Sequence, residues 1–150
     1  MSVAGDILTD VLSKLSTQLG ATFREMPDLF SVENLSSREL ENTYAAILLD
    51  GSNDENQNTS FITFTRNLEI KISYRSYSRV ASGANAKTKL ATLFTNEEAL
   101  ITYFLAWPSK PTGLVAVIDP VKTKVEPKTI GDDSYLINTI NLNIMYRYAS

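Results

Sequence analysis

The chain has no cysteine and no histidine in 150 residues. Without cysteine there are no disulfides, no thiolate nucleophile and no thiolate metal site. Without histidine the commonest general base and the commonest transition-metal ligand are gone, so Ser-His-Asp and Cys-His arrangements and histidine zinc sites are excluded. Any catalysis would fall to carboxylates, lysine, tyrosine or bound Mg²⁺. No apolar run approaches the roughly 20 residues that span a bilayer. The opening residues lack a basic segment and carry Asp6 and Asp10, so they do not read as a secretory signal. These absences point to a binding or structural protein that folds in a reducing cytoplasm, and to no enzyme, cofactor or metal.

What is present is enough for a single domain spanning residues 1–150, with 43% apolar residues around one core. Net charge is −3 but unevenly spread: residues 1–60 hold ten acids and three bases, residues 61–150 seven acids and eleven bases. From Lys71 to Lys89 there are five bases (Lys71, Arg75, Arg79, Lys87, Lys89) and no acid. Solvated surface charge accounts for such a pattern. So does a head-to-tail contact between copies, in which acidic and basic patches set the register. In that second reading Asp54, Glu55, Arg75, Arg79, Lys87 and Lys89 are the candidate interface.

The last stretch, residues 135–148, carries the clearest pattern. Leu136, Ile140, Leu142, Ile144, Tyr146 and Tyr148 share one parity, broken by Asn138, which predicts a long strand with one buried face. The C-terminal end is therefore expected inside a sheet. Ile62, Phe64, Leu68, Ile70, Ile72 and Tyr74 repeat the pattern in a strand from Phe61 to Tyr77, with a bend or bulge expected near Arg66 and Asn67.

Residues 3–19 read as a helix with the stripe Ala4, Leu8, Val11, Leu12, Leu15 and Leu19, started by Ser2 or Gly5 and stopped by Gly20. Residues 22–26 read as a short extended segment ended by Pro27. Residues 43–49 read as a buried central strand. Residues 51–59 contain no apolar residue and read as a mobile hairpin tip. Asp54 and Glu55 lie there, but their spacing does not match a Ca²⁺-binding EF-hand loop. A short helix is expected over residues 86–94. A second is expected over about 96–106, with Thr95 as N-cap, Glu98 completing a capping box and Trp107 covering the core edge. Glu97 and Glu98 then sit in a first helical turn, where the dipole favours anions without any catalytic role. Residues 113–119 read as a strand, and residues 121–126, with Lys122, Lys124 and Glu126, as a charged edge strand. The expected fold is a single-domain α+β structure: a mixed, mostly antiparallel sheet with a long hairpin, flanked by helices at about 3–19 and 96–106.

Three stretches carry a resemblance to a known family: the helix Leu8 to Leu19; the hairpin from Tyr44-Ala-Ala-Ile-Leu-Leu-Asp-Gly51 to Leu68-Glu-Ile-Lys-Ile-Ser-Tyr74; and the closing strand ending Ile140-Asn-Leu-Asn-Ile-Met-Tyr-Arg-Tyr148. In this order they resemble the tail terminator proteins of long-tailed bacteriophages. The resemblance implies a virion protein, assembled in the host cytoplasm, that closes into a ring, usually a hexamer. It implies stacking on the last tail-tube ring, an end to tube growth and a surface for the head-completion or neck protein. DNA would pass through the lumen without sequence-specific contact. No catalytic residue is implied and no membrane.

The rival readings are another head–tail connector or tail-tube protein, and a Mg²⁺-dependent phosphohydrolase using Asp50, Asp54, Glu55, Asp132 or Asp133. The last lacks a Gly-Lys-Ser/Thr loop to cradle phosphate. The basic window with Tyr74 and Tyr77 is a weak nucleic-acid footprint in a chain of net negative charge.

Overall fold

The computed structural model describes residues 2–30, 40–53, 61–77, 84–108, 110–130 and 133–149. Helix α1 (Val3–Leu19) is followed by the two-residue strand β1 (Arg24–Glu25), a 3-10 turn (Pro27–Phe30), β2 (Thr43–Asn53) and β3 (Phe61–Tyr77). Helix α2 (Ala84–Ala106) leads to β4 (Leu114–Ile130) and β5 (Asp133–Ala149). The strands form one mixed sheet in the order β1-β2-β3-β5-β4; β1 runs parallel to β2 and every other pair is antiparallel. This is the expected α+β class, with β4 at the edge. Among the described residues no helix is long and apolar enough to cross a membrane.

Alternation along β3 and β5 fixes which face is covered. Leu68, Ile70 and Ile72 lie opposite Leu142, Ile140 and Asn138, and all six are fully buried. Ile144 and Tyr146 continue the row, so the expected common buried face is present. Both helices cover it. On α1 the buried stripe is Ile7, Val11, Leu15 and Leu19, while Leu8 and Leu12 are only partly buried, so the helix is turned slightly from the expected stripe. The Ser2 hydroxyl caps the helix by accepting from Gly5 N–H at 3.0 Å, and Gly20 ends it at φ 89°.

One continuous helix replaces the two short ones expected between residues 86 and 106. Thr95 is not an N-cap; its hydroxyl donates to the Ala91 carbonyl one turn back, at 3.0 Å. The buried stripe Leu93, Asn96, Leu100, Phe104 and Trp107 runs through without a break. Asn96 concealed that continuity because it is a polar residue at a core position. Its Nδ2 donates to the Tyr74 hydroxyl at 3.2 Å, and its Oδ1 accepts from Gln18 Nε2 at 3.1 Å. Burial pushes the Tyr74 hydroxyl up to about 12. Next to it, Glu97 accepts from buried Asn138 Nδ2 at 2.7 Å, so the residue that interrupts the β5 pattern ties α2 to the sheet. Glu97 is therefore engaged in mid-helix, not displayed in a first turn.

Three contacts set the helices antiparallel to each other. Trp107 Nε1 donates to Asp10 at 2.8 Å, Lys14 lies 4.4 Å over the Tyr103 ring, and Gln18 meets Asn96. Trp107 is buried, closing the core as expected, and takes φ 30° before Pro108.

Three strand details differ from expectation. The irregularity near Arg66 is carried by the partner strand: β2 shifts register between Leu49 and Gly51, with Asp50 at φ 31°, while β3 pairs with β5 without a break there. Strand β2 is buried only from Thr43 to Ala46 and runs on through Gly51, Ser52 and Asn53, which were expected in the loop. Residues 113–119 and 121–126 belong to one strand, β4, with a shift between Ile118 and Lys122. Of the loop expected at 51–59, residues 54–59 lie outside the described residues; of residues 78–85, also expected as a loop, 78–83 lie outside them, and Ala84 and Asn85 belong to α2.

Candidate interaction surface

The six candidate interface residues do not form one patch among the described residues. Asp54, Glu55 and Arg79 lie outside them. Arg75, near the end of β3, is already engaged within its own chain: its guanidinium meets Glu41 at 2.9 Å and Asp133 at 3.1 Å. These two carboxylates raise its pKa, so its charge is held locally. Lys87 is exposed and Lys89 half-exposed, on the first turns of α2. Of the acids considered for phosphate chemistry, Asp50 stands exposed on the β2 bulge and Asp133 pairs with Arg75; Asp54, Glu55 and Asp132 lie outside the described residues. Among the described residues no group of three acids is arranged to hold a metal.

The sheet has two unlike ends. At the Asp133 end both faces are covered. The helices cover one face, and on the other Leu29, Leu40, Ala45 and Tyr135 form a second small core with Met26, Phe30, Ile130 and Ile137. Ser73 donates its hydroxyl to the Leu40 carbonyl beneath it. At the Phe61 end this second face carries Thr63, Thr65, Asn67, Asn143 and Met145, all half-exposed, which an antiparallel sheet tolerates against water.

The helix-covered face also opens at the Phe61 end. A groove of about 490 Å³ runs between the first residues of α1 and the side chains of Phe64, Arg66, Tyr146 and Tyr148. A second hollow of about 310 Å³ shares Ala4 and Arg66 with it and passes Leu8 to reach Ile47 and Leu48. The three rings stand 6.2 to 6.5 Å apart. Arg66 lies 4.9 Å over Phe64 and donates from Nε to the Tyr146 hydroxyl at 2.9 Å. Its place on the apolar parity suggested an interruption. It is instead a cation held over the Phe64 ring and by the Tyr146 hydroxyl, and the signal was Phe64, Tyr146 and Tyr148 sharing that parity on two adjacent strands. Gly51 permits this packing: a Cβ there would meet the Phe64 ring at 2.3 Å.

No family model matches the chain. No curated protein matches it either. Among the described residues the arrangement presents an aromatic groove holding one arginine, a polar sheet face and exposed residues at the end of β2.

Proposed function

We propose that the chain is a tail terminator of a long-tailed phage: a structural virion protein that closes into a ring on the head-proximal end of the tail tube. There it stops tube growth and presents a surface to the head-completion or neck protein. The single observation that carries this reading is the placement of the three resembling segments. The opening helix lies on the sheet, β2 and β3 pair as a long antiparallel hairpin, and the closing strand β5 sits between β3 and β4. Two of the segments that carry the sequence resemblance are thus neighbours in one sheet, and the third packs on its face. The contrast between its two ends supports an assembly role, since one end is closed by its own chain and the other exposes surface.

The ring would be a homo-oligomer, a hexamer by the family's habit, with DNA passing through its lumen. The test is the mass in solution from low to high salt, with and without the tail-tube protein of the same genome. The expected result is a closed oligomer or a complex capping the tube. A chain that stays monomeric throughout and neither binds tubes nor limits their length overturns the reading.

A further inference from the structure

We propose that copies of this chain join edge to edge, the Leu114–Ile118 half of β4 in one copy pairing with the Ile47–Asn53 segment of β2 in the next. The sheet thus continues from subunit to subunit. This inference rests on the ring reading above and specifies the contact that would make the ring.

At the Asp133 end β4 is guarded against pairing: Lys122, Lys124 and Lys128 line it, Lys124 pairs with Glu126 at 3.0 Å, and Pro127 has no N–H to offer. The other half, Leu114 to Ile118, carries neither charge nor proline. Across the sheet, β2 is covered at the Asp133 end by β1, at Thr43 and Tyr44. Beyond Tyr44 no described strand pairs with its outer side, and Leu49 to Asn53 are exposed. Among the described residues, both outer edges are therefore blocked at the same end and open at the same end.

The open segments also lie at one level. Ser52 pairs with Thr65, Thr65 with Met145, and Met145 with Ala116. Leu49, Asn67, Asn143 and Ile118 form a second such row. A copy set beside another without sliding along the strands brings the two open segments together. Direction agrees as well. Three successive antiparallel pairings separate β2 from β4, so the two run oppositely, and β2 of the next copy meets β4 as an antiparallel neighbour. The contact uses two different surfaces of the chain, which is the heterologous kind that closes into a ring when the rotation between copies returns to the start. Asp50 on one edge and Lys110, whose Nζ reaches the Val115 carbonyl at 3.4 Å on the other, bring opposite charges to the junction.

The absence of cysteine makes the test clean. Ser52→Cys and Ala116→Cys are introduced singly, mixed and oxidised, with Lys128→Cys as the control partner for Ser52→Cys. Directly opposed residues of an antiparallel pair fall within disulfide reach. The expected result is a cross-linked dimer from the Ser52→Cys and Ala116→Cys mixture alone, and a ladder ending at ring size from the double variant. Val115 has no partner in the β5 register. Val115→Lys should therefore keep the fold and weaken association about tenfold or more by extending the lysine guard. An assembly of the same mass that never cross-links at these positions, and is indifferent to Val115→Lys, overturns the strand pairing and leaves the ring reading standing. A chain that does not associate with itself, alone or on tail tubes, overturns both.

Discussion

The two ends of the sheet are built on opposite plans. At the Asp133 end the β strands are packed on both faces, Arg75 is held by two carboxylates, and the outer edges are blocked by β1, proline and lysine. At the Phe61 end the same strands carry one helix-covered face, a groove of rings around Arg66, and open edges. Strands β3 and β5 run the whole length, so one element serves both purposes: stability at one end and exposed surface at the other. Substitutions at the first end should therefore unfold the chain, and those at the second should change only what it binds.

The largest effect is expected in the shared core. Ile70→Ala, removing a fully buried side chain, should lower unfolding free energy by about 2–5 kcal/mol in denaturant titration. Phe61→Ala, at a ring 45% exposed, should change it by less than about 0.5 kcal/mol. Equal losses at the two positions would erase the contrast between the ends.

Next comes the Tyr74 hydroxyl. Its pKa is raised to about 12 from an ordinary 10.0, so the folded state holds the proton that the unfolded state releases first. The stabilisation is complete below pH 10 and is lost as pH rises from there towards 12. Its size is on the order of 2–3 kcal/mol. Comparing alkaline unfolding of the native chain with Tyr74→Phe isolates this contribution. A native chain whose stability falls no faster than the variant's over that window would show Tyr74 to be less buried than described.

Smaller effects are expected at the surface. Arg75→Ala should cost about 0.2–1 kcal/mol, since partly exposed ion pairs contribute little, and high salt should shrink the loss. Reversing Arg75 to Glu sets three carboxylates together within one chain, so it disturbs the monomer and is a poor probe of association. Replacing residues 54–60 with a short turn should leave the melting temperature nearly unchanged, because closure entropy depends weakly on loop length. A fall of several degrees would show that the segment packs against the fold.

Most of the fold was legible because strand parity and the 3–4 spacing of α1 follow directly from which side chains face the core. What escaped was polar and tertiary. Asn96 looked like a helix start, and it is a core residue satisfied by Tyr74 and Gln18 from other elements. Asn138 looked like a defect in a strand, and it anchors Glu97. Arg66 looked like an interruption, yet the Tyr146 hydroxyl on the neighbouring strand accepts from it. Arg75 looked free because Glu41 and Asp133 lie 34 and 58 residues away in sequence. No local pattern carries such partners. The relation between the two edges was also out of reach, since it depends on strand order.

The central claim is best tested by tail-tube length. Tube subunits from the same genome are polymerised with and without this protein, and the lengths are measured by electron microscopy. Added protein is expected to bind one end of each tube as a ring and halt growth there, shortening tubes in proportion to the amount added. Tubes that grow to the same lengths with bare ends, while the chain remains in solution, would contradict it.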